Sequence, residues 1–271
     1  MNDSSVIAWL LEEENPSVRY FTQIDLLGMG IDHPDVVESR KHIMDSGIVP
    51  SILAKQNPDG SWGDSSRFYT DKYSGTSWVL LTLSQLGVDE TDPRIKNACE
   101  FLLNVSQEPL CGGFSIESSL KTGQGRPSLV IPCLAGNMVY SLIRLGYLED
   151  DRLQKAIRWI LVHQRSDDGI KVIPKGLLDD RLFTCFGDHS CHMGVAKALK
   201  ALAVIPIEKR NTETNLKIDA LMEYFLIHRI YRQSHDLSKI AKPGWLKFGF
   251  PLMYQTDVLE LLEILIDLGI R

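Results

Sequence analysis

Apolar side chains recur at one helical spacing in three separate stretches of the chain, and this constrains the fold more than any single motif. They fall at Ile95, Ala98, Cys99, Leu102 and Leu103, at Leu153, Ala156, Ile157, Ile160 and Leu161, and at Ile218, Leu221, Met222, Phe225 and Leu226. Steps of three and four residues put all five on one face of an α-helix, so each stretch predicts an amphipathic helix with one face to bury. A fourth, imperfect copy runs through Ile48, Val49, Ile52 and Leu53, with Pro50 near its start, where the first helical turn tolerates proline.

Three of these helices run into a glutamine-led turn: "QNPDGSWGD" from Gln56, "QEPLCGGFS" from Gln107 and "QRSDDGIK" from Gln164. Gly and Asp there break the helix. A second apolar helix follows each turn at some distance, in "TSWVLLTLSQLG", "AGNMVYSLIRLG" and "HMGVAKALKALA", with a further copy in "TDVLELLEILIDLG". The closing glycine of most of them is a usual helix stop. The unit is helix, turn, loop, helix, recurring every ~50 to 65 residues, longer than the common helical solenoid periods. Such pairs cannot bury their apolar faces alone and must stack. "VIAWLLEE" and "SVRYFTQIDLLG" read as a less regular leading pair, no stretch alternates like a strand, and the expected class is all-α in one domain spanning residues 1–271.

The composition, 44% hydrophobic and 24% charged, is that of a globular protein, and no apolar run is long enough to cross a bilayer. The N-terminal segment lacks a basic leader, so the expected location is cytoplasmic. Five cysteines without an export signal read as reduced thiols. A net charge of −6 argues against a nucleic-acid partner.

"QNPDGSW", Gln56 to Trp62, resembles the glutamine and tryptophan motif of the squalene/oxidosqualene cyclase and protein prenyltransferase superfamily. The other two turns keep the glutamine and glycine, with Phe114 in place of the tryptophan in one and Ile170 after the glycine in the other. "CHMGVAKALKALAVIP", "CLAGN" and "SHDLSKIAKPGWLKFGFPLMYQTD" are similar to an uncharacterised bacterial, prenyltransferase-like branch of that superfamily. The resemblance implies an α/α toroid with inner and outer helical rings. Relatives of this kind hold five to six helix pairs, so the ring expected here is an incomplete one. "LLDD", Leu177 to Asp180, lacks the first aspartate of the D-x-D-D acid with which the cyclases protonate an olefin.

In "CFGDHSCHMG" two thiols and two imidazoles occupy eight positions, Cys185 to His192. With the second helix of each pair on the inner ring, Cys133 and Cys191 start neighbouring inner helices and face one rim. Thiolate and imidazole suit tetrahedral zinc, and the expected ligands are Cys133, Cys185, Cys191 and either His189 or His192. The alternative is that the cysteines pack as small hydrophobes. Protein prenyltransferases hold zinc at the equivalent rim, and the resemblance implies a rim metal here without reproducing their ligand order.

Between His228 and Lys247 the chain carries Arg229, Arg232, Lys239, Lys242 and Lys247 against Asp236 alone, a local +4. Guanidinium, ammonium and hydroxyl groups suit a diphosphate, and Arg229, Tyr231, Arg232, His235 and Lys242 are the candidate contacts. Trp245 and Tyr254 are candidates to wall an apolar tail, and Trp78 and Asn137 to line the cavity. The alternative is a solvated basic loop anchored by its aromatics. Asp257 and His192 are the candidate catalytic groups, Asp257 as a general acid unless it merely caps the last helix. The expected function is prenyl transfer or terpene cyclisation on an apolar or isoprenoid-diphosphate ligand. A non-catalytic binding protein with a structural metal is the alternative, since a scaffold does not fix a reaction.

Overall fold

The computed structural model describes residues 3–166, 185, 190–233 and 236–270. Helices α1 (Asp3–Leu10), α2 (Pro16–Phe21), α3 (Pro34–Asp45) and α4 (Val49–Leu53) lead into α5 (Thr76–Gln85), α6 (Pro93–Val105), α7 (Pro132–Arg144) and α8 (Asp151–His163). Then follow α9 (His192–Ala203), α10 (Thr212–Ile227) and α11 (Val258–Asp267). The fold is all-α, as the periodicity predicts. Helix α3 has no counterpart in the periodic stretches because its buried face is only Val36, Ser39 and Ile43, with a serine at its centre.

One departure from the sequence reading is a short antiparallel hairpin, β1 (Arg232–Gln233) with β2 (Asp236–Ile240). Most of β2 is exposed, so no apolar alternation marks it. Its shape comes from backbone pairing and from Asp236, whose carboxylate accepts from the backbone and hydroxyl of Ser238.

Helices α5, α7, α9 and α11 form an inner row, each touching the next; α6 backs α5, α8 backs α7, and α10 backs both α9 and α8. The inner helices α7 and α9 are buried on almost every side, whereas α8 buries the stripe seen in its sequence and, beside it, Trp159. Each fully buried Leu or Ile on these faces contributes ~1.5–3 kcal/mol, which is why the stripes dictate the layering. The inner helices run parallel. Ser84 meets Ser141 near the far ends of α5 and α7, and a Cβ on Gly136 of α7 would lie 2.5 Å from the Lys197 backbone of α9. The row also curls, because Tyr254, just before α11, returns to Trp78 at the start of α5 with ring centroids 6.3 Å apart. Parallel inner helices backed by outer ones and curling on themselves make an α/α toroid.

The glutamine turns have a physical role in this architecture. Gln56 Nε2 donates to Gly60 O at 3.1 Å and to Arg94 O at 2.8 Å, the latter in the first turn of α6. Gln107 Nε2 donates to Gly112 O at 2.9 Å and to Arg152 O at 2.7 Å, in the first turn of α8. Each turn thereby clamps one outer helix to the next. The glycines must approach closely: at φ +89° and +82°, Gly60 and Gly112 would drive a Cβ to 2.4 Å from Asn97 O and 2.6 Å from the Lys155 backbone. Trp62 is buried and its Nε1 donates to Ile52 O at 2.8 Å, closing the first turn onto α4.

Candidate functional site

The parallel inner helices place their N-terminal ends at one rim, where Trp78, Cys133, Cys191, His192 and Asp257 stand at the helix starts. Burial pushes the Cys133 thiol up, with Cys191 and Cys185 close enough to raise it further. Cys133 lies in the first turn of α7 and Cys191 immediately precedes α9, two helices packed against each other. His189 lies outside the described residues. Among the described residues, no three His, Cys, Asp or Glu side chains converge closely enough to hold a metal ion. A buried thiol held neutral is also a poor ligand until it loses its proton.

Beside the thiols lies an aromatic cluster. Trp78, on the first turn of α5, sits 4.9 Å from Tyr69, 5.3 Å from Tyr73 and 6.3 Å from Tyr254, centroid to centroid. Its Nε1 donates to Tyr69 O at 2.8 Å, which fixes the indole while leaving its π-system to the tyrosines. Lys72 Nζ rests 4.5 Å from the Tyr254 ring centroid and 5.4 Å from that of Tyr69. Trp78 and Tyr69 are buried, whereas Tyr73 is 44% exposed, so the cluster has a closed floor and an open wall. Desolvation pushes the Tyr69 hydroxyl well above its usual range, and burial followed by the influence of Tyr254 raises that of Tyr73. Both phenols stay neutral at physiological pH.

Asn137 reaches across the ring, its Nδ2 donating to Met253 O at 3.0 Å, and so positions the segment that carries Tyr254. Deeper in the ring, Lys197 Nζ donates to both Glu260 oxygens at 2.9 and 2.7 Å, and Lys200 Nζ to Oε1 at 2.8 Å. Lys200 also lies 4.4 Å from the Tyr140 ring centroid. Burial alone would raise Glu260, but the two ammonium groups outweigh it and hold the carboxyl down to about 2. Burial pushes Lys197 down to about 8, only partly offset by Glu260. This ion triad was not legible in the sequence: Lys197 is flanked by small apolar residues, and its partner lies 63 positions away.

The candidate catalytic groups are both engaged. Asp257 is buried and caps α11, its Oδ1 accepting from Glu260 N at 2.8 Å. His192 Nδ1 is 2.8 Å from Tyr224 OH, and its Nε2 is 3.2 Å from Arg232 O, to which that nitrogen must donate. The ring is enclosed by Tyr224, His228 and Trp245 at centroid distances of 5.2, 5.1 and 5.8 Å. Trp245 is itself 1% exposed, so it is packed into this cluster.

The basic segment divides into spent and unspent charges. Arg232 donates to Ser238 O at 2.9 Å and Tyr231 OH at 3.1 Å, which orders the hairpin. Lys239 pairs with Asp236 at 2.9 Å. Arg229 and Lys242 are exposed, and His235 lies outside the described residues. Away from the rim, at the far ends of α5 and α7, a pocket of about 440 Å³ is lined by residues including Tyr20, Arg40, Lys41, Met44 and Arg144. No helix among the described residues is long and apolar enough to cross a membrane.

Over 156 residues, 56% of the chain, the sequence is 23% identical to the squalene–hopene cyclase of Bradyrhizobium diazoefficiens. The match spans 22% of that cyclase. No protein-family profile matches the chain. Among solved structures, a glycoside hydrolase of family 105 from C. acetobutylicum superposes with a TM-score of 0.45 at 12% identity, covering 79% of this chain and 64% of its own. The apo type II terpene cyclase MstE from Scytonema superposes with a TM-score of 0.25 at 14% identity, covering 80% of this chain and 69% of its own.

Proposed function

We propose that this protein acts on an apolar, isoprenoid-type substrate at the thiol and aromatic rim, stabilising positive charge that develops on a substrate carbon. The observation that carries the reading is the aromatic floor of Trp78 and Tyr69 with Tyr73 and Tyr254 as walls, already holding a cation 4.5 Å from a ring centroid. The partial sequence similarity to a squalene–hopene cyclase supports it. In prenyl transfer the carbon–oxygen bond to diphosphate breaks with its electrons leaving on oxygen, and the carbon bonds to a nucleophile of a separate acceptor molecule, which gives up its proton. In cyclisation a proton adds to an olefin. Either step leaves positive charge on carbon, where a π-face contributes ~0.5–2 kcal/mol, more when water is excluded.

The narrower form of the proposal is prenyl transfer, with Arg229 and Lys242 receiving the diphosphate, since these two exposed cations are in no ion pair among the described residues. A metal held by Cys133, Cys185, Cys191 and His189 is tested separately: about one zinc per chain is expected by elemental analysis and should fall in Cys191→Ser, and undiminished zinc there, or none in the parent, removes the metal.

The test of function is incubation of the purified chain with labelled geranylgeranyl diphosphate and with squalene. Consumption of either, reduced tenfold or more in Tyr254→Leu with an unchanged melting curve, is the expected result; no turnover and no saturable binding would overturn the proposal. A second reading, a toroid that binds an apolar ligand without chemistry, is favoured by the engagement of Asp257 as a helix cap and of both His192 nitrogens. Binding without consumption would select it.

A further inference from the structure

Lys72 differs from the other lysines whose partners are defined. Lys197, Lys200, Lys209 and Lys239 each find a carboxylate and Lys217 donates to the Gln164 carbonyl, whereas Lys72, though exposed, forms no ion pair among the described residues and lies on two tyrosine rings. The adjacent carboxylate, Asp71, is taken by Arg67 at 2.6 Å. An ammonium is strongly hydrated and gives up part of its water to lie on a ring, so its place there reports the attraction of the π-faces.

The site it covers has the form of an aromatic cage. Trp78 is the shared floor, the ammonium lies on the faces of Tyr254 and Tyr69, and Tyr73 stacks beside Tyr254, 25° apart with centroids at 6.4 Å. Tyr69 closes the buried side. We infer that this cage is a binding site for an organic cation without N–H donors, a methylated ammonium group, and that Lys72 is its resident occupant, which the ligand displaces. A quaternary ammonium suits the cage better than Lys72 does, because its methyl groups contact the ring faces directly and its charge is more weakly hydrated. Lys72 keeps one advantage, that of tethering, since it loses no translational freedom on binding. Removing the tethered competitor should therefore tighten binding of a free one. The inference concerns recognition and holds whether or not the chain turns a substrate over.

The experiment titrates the full chain with phenyltrimethylammonium and with its neutral isostere tert-butylbenzene, following Trp fluorescence and the ring-current shift of the ligand methyl signals. Saturable binding of the cation is expected, at least about fivefold tighter in Lys72→Ala and at least about tenfold weaker in Tyr254→Leu. Lys72 is exposed, so its replacement leaves the fold intact, and a melting curve checks Tyr254→Leu. Equal binding of tert-butylbenzene would overturn the cation assignment. Cation affinity unchanged in Lys72→Ala would overturn the resident role of Lys72, and no saturable binding in either protein would overturn both. Failure here, with geranylgeranyl diphosphate or squalene still consumed, would leave the proposed function standing.

Discussion

Two aromatic clusters sit at the N-terminal rim of the inner helices, each with a basic side chain among its rings, and they differ in where their polar groups go. Around His192 the polar atoms turn inward: Tyr224 OH reaches Ser190 O at 3.1 Å as well as the imidazole, His228 Nδ1 bonds to the Tyr224 carbonyl, and Trp245 is sealed from solvent. Around Trp78 the rings are as close, yet Tyr73 is 44% exposed and Lys72 is exposed with no carboxylate partner among the described residues. Aromatic density alone therefore does not mark a site. A cluster that satisfies itself behaves as core, and one that leaves π-faces and a charge unspent can receive a ligand.

The sharpest way to break this comparison is to truncate the closed cluster. Trp245→Ala should destabilise the protein by ~3–5 kcal/mol in urea unfolding, the cost of a large buried side chain; an unchanged midpoint would show the cluster is not core. Trp245 Nε1 has no hydrogen-bond partner among the described residues, so part of the packing gain is already offset in the native protein.

The ion triad inside the ring gives the next effect. Glu260→Ala leaves Lys197 and Lys200 without their shared carboxylate and should cost ~3 kcal/mol. The same group sets an acid limit. Its folded value, about 2, lies below the usual glutamate value of 4.5, so its contribution is complete above about 4.5 and is lost as pH falls from there towards about 2. Glu260→Ala should flatten that part of the stability profile, and an identical acid transition in both proteins would count against the pair.

Smaller changes sharpen the contrast between the clusters. Tyr224→Phe removes a buried hydroxyl bonded to Ser190 and His192 and should cost ~1–2 kcal/mol by thermal or urea unfolding. Tyr73→Phe, on the exposed wall, should stay within ~0.5 kcal/mol. Equal losses for the two would erase the distinction between closed and open.

The fold was largely legible. The apolar steps at Ile95 to Leu103 and Leu153 to Leu161 are the buried faces of α6 and α8, because helix period and burial are local properties of a sequence. The placement of Cys133 and Cys191 at the starts of α7 and α9 was legible too, since both lie just where an apolar helical repeat begins. The open cluster was half legible: Trp78 stood out near a helix start and Tyr254 in the aromatic segment after the basic stretch, but Tyr69, Tyr73 and Lys72 sit in an irregular segment where no period says which way a side chain points. Helix α3 and the hairpin escaped for a related reason, since neither carries an apolar repeat.

The sequence by itself determined the periodic helices, their amphipathic faces and the glutamine and glycine turns that break them, because these depend on spacings of a few residues. Only the tertiary structure decided which charges and rings are spent. Lys197 meets Glu260 across 63 positions, and Tyr254 meets Trp78 because the ring curls back on itself. Such pairings arise from closure of the inner row, and no local spacing encodes them.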